Sequence, residues 1–252
     1  MEYRKKRTAP ENMIYGIKPL EEAFIADKEI DKIFVQRDLR SDDIVALLKQ
    51  AAERNVPIAK VPAEKLERLT RKNHQGIIAF TASVSYASLD FVMSQVYERG
   101  ENPLILVLDR ITDVRNFGAI ARSAECMGAH AVVVPQRDSA PIGPDAVKTS
   151  AGALSHIPIC RERNLRNTIK FLKEYGLSVY GCTEKASELI YSGEFKSPTA
   201  IVMGSEEDGI SDDLMTIIDH IVKIPMLGKL SSLNVSVATG MILSEVARQR
   251  GE

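Results

Sequence analysis

Hydrophobic positions along this chain fall into two series, each alternating short apolar runs with stretches of helical spacing. The first places helices at Pro19 to Ala26 and Asp42 to Arg54, and strands at Lys32 to Val35, Pro57 to Val61 and Gly76 to Thr81. Together these predict a small α/β unit. The second begins at Leu104-Ile105-Leu106-Val107-Leu108 and continues with a helix to Met127, Ala131 to Val134, a helix over Leu165 to Glu174, and the runs Leu177 to Tyr180, Ala200 to Met203 and Ile221 to Ile224. Apolar runs with no polar alternation, separated by helices, predict a parallel sheet covered on both faces. Between the two series, residues 83–103 mix small, polar and acidic side chains around one predicted helix, Leu89 to Tyr97. The expected division is a first domain at 1–83, a linker at 84–102 and a second domain at 103–252.

Ligands on open parallel sheets bind outside the carboxyl ends of the strands, which singles out three loops. After Leu108 comes Asp109 to Gly118, containing Asn116 and opening a helix that carries Arg122. Alone, this reads better as a helix cap and a surface cation. After Met203 comes the acidic turn Gly204-Ser205-Glu206-Glu207-Asp208-Gly209, whose glycines permit close backbone approach. After Ile224 the chain passes Pro225, Met226 and Gly228 into Ser231, Ser232, Leu233 and Asn234, then an amphipathic run ending at Arg250. Hydroxyls and an amide at three of four positions exceed what capping requires. Three such loops at three strand ends point to a ligand more strongly than any one of them.

Composition narrows the field. With 252 residues, 44% hydrophobic and 27% charged, the chain can bury a full core. No run approaches the roughly 18 apolar residues of a membrane span, and the basic start, Met1 to Arg7, lacks the apolar core of a secretory signal. Cys126, Cys160 and Cys182 are odd in number and without CxxC spacing, and His74, His130, His156 and His220 are scattered singly. Neither a disulfide framework nor a metal site is expected, and reduced thiols fit a cytoplasmic protein. The net charge of −1 is unevenly spread: residues 1–83 hold 16 Lys and Arg against 13 Asp and Glu. Within that basic excess Lys65, Arg68, Arg71 and Lys72 recur at helical spacing and lead to His74. Judged alone, the segment is as well a solvated helix as an RNA-contacting face.

Several chemistries are excluded. No GxGxxG follows a strand, Gly228-Lys229 lacks the rest of a phosphate-binding loop, and no GxSxG marks an acyl-transfer nucleophile. Glu206 and Glu207 are adjacent and point to different sides, so a glycosidase pair is unsupported.

Three ordered motifs remain. Asn116-Phe117-Gly118 with Arg122-Ser123-Ala124 and Gly128, then Met203-Gly204-Ser205-Glu206 with Gly209-Ile210-Ser211, then Ile224-Pro225-Met226 with Ser232-Leu233-Asn234-Val235-Ser236-Val237-Ala238, resemble those of the SpoU family of RNA ribose methyltransferases. They span Leu104 to Arg250. Tyr15-Gly16-Ile17 and His74-Gln75-Gly76-Ile77 resemble parts of the L30e-like substrate-binding domain that precedes the catalytic domain in the branch acting on guanosine in 23S rRNA. One departure is Val114, where many members carry proline.

The resemblance implies an α/β chain with a C-terminal trefoil-knotted parallel-sheet (SPOUT) methyltransferase domain behind a small L30e-like domain, dimerising through the knot. It implies S-adenosylmethionine as cofactor, held by backbone groups at Thr183, Gly204, Ile224 and Leu233. Arg122 becomes the leading catalytic residue, surrounded by Asn116, Glu206, Ser232 and Asn234. The implied reaction is methyl transfer to a ribose 2'-hydroxyl, which selects RNA over DNA. Lys65, Arg68, Arg71, Lys72 and His74, with the tail Arg4 to Arg7, then become candidate RNA contacts. The target expected is a guanosine of the peptidyl-site loop in 23S rRNA; tRNA or another rRNA site, and a non-catalytic ribosome-assembly role, are the alternatives.

Overall fold

The computed structural model describes residues 12–39 and 41–251, and the chain divides after Ser83 into two units. The basic tail Arg4 to Arg7 lies outside the described residues. The first unit runs β1 (Met13–Tyr15), α1 (Ile17–Ile25), β2 (Ile30–Gln36), α2 (Asp42–Glu53), β3 (Ile58–Val61), α3 (Ala63–Leu69) and β4 (Ile77–Thr81). Its sheet has the order β1-β4-β2-β3, with β4 antiparallel to both neighbours and β3 parallel to β2. Leu20, Ala23 and Phe24 of α1 and Ile44, Leu47 and Ala51 of α2 recur every three or four residues, so each helix presents one apolar stripe.

The basic run of this unit departs from the expected single helical face. The helix α3 stops at Leu69, and Thr70 is extended, at φ −152° and ψ 144°. Its side-chain oxygen accepts the Lys72 backbone N–H at 3.2 Å, a local bond that competes with the next helical turn. Lys65 and Arg68 therefore lie on α3, whereas Arg71 and Lys72 lie on the loop beyond it.

The second unit runs β5 (Tyr86–Ala87), α4 (Leu89–Glu98), β6 (Leu104–Leu108), α5 (Val114–Cys126), β7 (Ala131–Pro135), α6 (Pro144–Thr149), β8 (Ile159–Glu162), α7 (Leu165–Glu174), β9 (Ser178–Cys182), β10 (Glu188–Leu189), β11 (Thr199–Met203), α8 (Asp212–Met215), β12 (His220–Lys223) and α9 (Val235–Arg250). Its eight strands lie in the order β10-β12-β9-β11-β6-β7-β8-β5, every pair parallel. Separate cores fill its two faces. Leu104, Leu106 and Leu108 of β6 point into one and Ile105 and Val107 into the other, which is why the strand has no polar position.

Residues 84–102, expected as a linker, are built into this unit instead. Tyr86 and Ala87 pair with Ile159 and Cys160 at the sheet edge, and Leu89, Val92, Met93 and Val96 of α4 are buried in the second core. The polar residues that suggested a linker lie on the outer side of that helix. Beyond the edge-side strand β12 the chain crosses back over β9 and β11, so that α9 packs on α5. Gly240 faces Ser123 across this packing, where a Cβ would make an ordinary contact at 3.7 Å from Ser123 Oγ. Among the described residues no helix is long and apolar enough to cross a membrane, and no group of three potential metal ligands occurs.

Candidate active site

Four adjacent strands, β12, β9, β11 and β6, end side by side, and the loops leaving them make the site. Asp109 and Arg110 tie two of these loops together. The Ser211 backbone N–H donates to Asp109 Oδ2 at 2.7 Å, while Arg110 donates to Asp208 Oδ2 at 2.9 Å and to the Gly209 carbonyl at 3.0 Å. Arg110 adopts a left-handed backbone, φ 58°, to make this reach. Neither residue figured among the sequence candidates. The available signal was a pair of opposite charges placed immediately after a fully buried strand.

Inside the tied loops lies a cavity of about 340 Å³. All four residues expected to hold the cofactor, Thr183, Gly204, Ile224 and Leu233, line it, together with Glu206 and Ser232. Gly204 is required there by space. A Cβ would fall 2.1 Å from the Gly209 carbonyl carbon and 2.2 Å from the Ile210 nitrogen, backbone atoms that cannot swing aside. Ser205 and Gly209 close this loop through a reciprocal pair of backbone hydrogen bonds, both 3.0 Å. Cys182 lines the same cavity, where burial pushes its thiol up to about 12, with Glu184 adding to the effect.

Beside the cavity three polar side chains, from the first turn of α5, the loop after β11 and the cap of α9, form one cluster. Asn116 donates to Glu206 Oε1 at 2.9 Å, and Asn234 Nδ2 donates to Asn116 Oδ1 at 2.9 Å and to the same Glu206 oxygen at 2.7 Å. The two ends of Asn234 have different tasks. Its oxygen caps α9 by accepting the N–H groups of Ser236 and Val237, and its amide nitrogen reaches the cluster. Among the described residues Glu206 Oε2 receives no hydrogen bond, leaving an acceptor for a ligand. A second cavity of about 270 Å³, lined by Asn116, Asp113, Arg110 and Glu206 among others, also borders Glu206. Val114 takes the first position of α5, where proline would also fit. The helix start depends instead on Asp113, whose carboxylate accepts the Asn116 N–H at 2.8 Å.

Arg122 stands apart from this cluster. It lies six residues beyond Asn116 on α5, about 120° around the helix and about 9 Å along it. Its side chain is exposed and makes no hydrogen bond or ion pair among the described residues. Arg115, Ala119, Arg122 and Cys126 form one accessible stripe of α5, and Val237, Met241, Ser244 and Arg248 form another on α9. In the first unit, Lys65 and Lys72 reach over aromatic rings, Arg68 and Arg71 face solvent, and His74 Nδ1 accepts the Gly76 N–H at 3.0 Å.

Known proteins place this geometry in a family. Residues 103–244 match the SpoU rRNA Methylase family model, and residues 13–87 match the model described as RNA 2'-O ribose methyltransferase substrate binding. The chain belongs to the SpoU rRNA methylase family. As a SpoU member it is an RNA methyltransferase. A protein of Bacillus subtilis named as a TrmH family tRNA/rRNA methyltransferase is 33% identical over 237 residues, covering 94% of this chain and 95% of its own. A similarly named protein of Staphylococcus aureus is 36% identical over 241 residues, covering 95% of this chain and 97% of its own. Among solved structures, the SpoU methyltransferase AviRb from Streptomyces viridochromogenes in complex with AdoMet aligns over 98% of this chain and 94% of its own. Its TM-score is 0.61 and its identity 27%. The TrmH/SpoU tRNA modifying enzyme of A. aeolicus aligns over 65% of this chain and 84% of its own, with a TM-score of 0.55 and 28% identity.

Proposed function

We propose that this SpoU enzyme transfers a methyl group from S-adenosylmethionine to the ribose 2'-oxygen of a guanosine in the peptidyl-site loop of 23S rRNA, as a cytoplasmic homodimer. The observation that carries the chemistry is the cavity lined by Thr183, Gly204, Ile224 and Leu233 with the Asn116, Glu206 and Asn234 cluster at its rim. Such a cavity suits a ligand gripped by backbone groups, because Gly204 admits main chain where any side chain would collide. When bound, the cofactor supplies an electrophilic methyl group on a sulfonium. Glu206 offers its second carboxylate oxygen to the ribose, and the two asparagine amides hold the first oxygen so that the carboxylate keeps one orientation.

Arg122 makes no hydrogen bond to this cluster within one chain, and a guanidinium has no lone pair with which to accept a proton. Its proposed role is electrostatic. Pairing of two copies through the α5 and α9 stripes carries Arg122 into the interface, where it serves the partner's site by binding RNA phosphate and stabilising the developing alkoxide. The exposed Val237 and Met241 support this pairing, since they leave apolar surface open on α9, the helix packed against α5. Arg122→Lys then lowers the single-turnover rate by roughly 10²-fold or more with RNA binding retained; an unchanged rate removes the residue from catalysis.

The 23S target is favoured by domain order, a substrate-binding unit followed by the methylase unit. The tRNA alternative draws on the A. aeolicus enzyme, yet that match leaves about a third of this chain uncovered. An assembly factor without activity would have no use for the hydrogen-bonded cluster. Mapping 2'-O-methylation across rRNA and tRNA with and without the gene tests the proposal, followed by restoring the mark with purified protein and labelled cofactor. A mark lost from tRNA alone overturns the 23S assignment, and no lost mark overturns the activity.

A further inference from the structure

The sheet of the first unit has two unlike faces. One is sealed by α1 and α2, whose Leu20, Phe24, Leu47 and Ala51 pack on Ile33, Ile77 and Ala79. Among the described residues of this unit the other receives only the seven-residue α3, which lays Leu66 and Leu69 against Met13, Val61 and Ile78. Strand register arranges the rest of this face in two cross-strand rows, Met13, Phe80 and Lys32 in one, and Tyr15, Ile78, Phe34 and Ala59 in the other. Tyr15, Phe34 and Phe80 are half-buried, so part of each ring remains accessible.

Cations stand over these rings. The Lys32 and Lys65 ammonium groups lie 5.5 and 5.0 Å from the Phe34 centroid, and that of Lys72 lies 5.0 Å from the Tyr15 centroid. Phe34 and Phe80 meet edge to face, centroids 6.0 Å apart. Among the described residues none of the three lysines has a carboxylate within ion-pair distance. A packing role requires neither accessible rings nor three unneutralised cations above them. The combination matches a ligand with flat π faces on an anionic backbone, because bases stack on aromatic rings while phosphates meet lysines.

We propose that this open sheet face binds a single-stranded RNA segment, with unpaired bases stacked on Tyr15, Phe34 and Phe80 and phosphates on Lys32, Lys65 and Lys72. The inference rests on the RNA methyltransferase reading and adds the state in which the RNA is held. In a duplex the base faces are enclosed and only shape and backbone can be contacted, so this face selects loops over stems. The lysines have long, flexible stems and move off the rings as bases arrive.

The test uses the full chain and fluorescence anisotropy with a labelled oligoadenylate of about a dozen nucleotides, single-stranded or annealed to oligouridylate. Phe34→Leu and Tyr15→Leu each weaken single-strand binding by roughly tenfold, leave the salt dependence of the affinity unchanged and leave duplex binding unaffected. Phe34→Tyr retains binding. Lys65→Gln and Lys72→Gln instead lower the salt slope by about one each. Folded leucine variants that bind the single strand like the parent protein, or that lose duplex binding equally, overturn the proposal. A second measurement needs no substitution: ultraviolet cross-linking of the unchanged protein to thiouridine-containing oligouridylate yields adducts at Tyr15, Phe34 or Phe80, and adducts confined to other residues overturn it. Failure of the unchanged protein to bind single-stranded RNA or rRNA at all defeats the RNA methyltransferase reading itself, whereas binding without ring dependence defeats this inference alone.

Discussion

Asn234 shows how one side chain serves both the fold and the candidate chemistry. Its oxygen caps α9 and its amide nitrogen bridges Asn116 and Glu206. Aspartate is an equally good cap but has no N–H to donate and brings a second negative charge against Glu206. Asn234→Asp therefore keeps thermal stability within about 0.5 kcal/mol of the parent while lowering methyl transfer about ten- to hundredfold, the worth of hydrogen bonds to a charged group. Calorimetric melting and a labelled-cofactor assay read the two effects separately; equal losses in both would make Asn234 merely structural. The cysteines make a second prediction at this scale. Burial pushes the thiols of Cys160 and Cys182 up to about 12, well above their value in an unfolded chain. A raised folded-state pKa on an acidic group means the native state keeps protons that the unfolded state releases. The stabilisation is fully present below about pH 8.5 and falls by about 1.4 kcal/mol per pH unit for each thiol between there and about pH 12. Alkaline denaturation of a Cys160→Ala, Cys182→Ala double variant shows a shallower decline than the parent protein, and parallel curves would contradict the assigned burial effect.

At the scale of elements, legibility followed burial. The strands β6 and β7 were visible because every position is apolar and nearly all are buried, β9, β11 and β12 because an apolar run sits within each of them, and α7 because Asn164 caps it at 3.0 Å ahead of a clear stripe. The strands β5, β8 and β10 are short or lie toward the sheet margin, and β8 ends in Arg161 and Glu162, so neither length nor hydrophobicity marks them. The end of α3 escaped because periodicity continues through Thr70 while a local hydroxyl bond ends the helix. The site loops were legible as polar, glycine-containing segments after strands, but the clasp of Asp109 and Arg110 was not, since its partners lie about a hundred residues away. Helix α9 is the element whose character is least settled by its own chain. It buries Ile242, Leu243 and Val246 yet leaves Val237 and Met241 exposed. Met241→Asp puts a charge on that open face without touching the core. On the proposed pairing, the expected outcome is a halved mass by sedimentation, with monomer melting preserved and methyl transfer lost. A variant that remains dimeric would move the interface elsewhere.

At the scale of the whole molecule, the break after Ser83 separates two units that each carry their own core. The second unit holds every strand end that forms the cavity lined by Thr183 and Gly204, and among the described residues none of those lining it belongs to the first. Its edge strand β5 starts at Tyr86, so a chain beginning at Val84 keeps the pairing of Tyr86 with Ile159 and the packing of α4 on the second core. Removal of residues 1–83 therefore leaves a folded protein that binds S-adenosylmethionine in a calorimeter with affinity close to that of the full chain. It also removes the accessible rings and lysines of the first sheet, and with them the contacts argued to hold RNA. Methylation of rRNA by the shortened chain falls by several orders of magnitude, because binding energy from parts of a substrate remote from the reacting atoms is what holds the 2'-hydroxyl in place. If the shortened chain methylates rRNA as well as the full chain, substrate recognition resides in the catalytic unit and the first unit must be reassigned. If cofactor binding is lost as well, Val84 is the wrong boundary, and the segment from Tyr86 through α4 depends on the first unit for its stability.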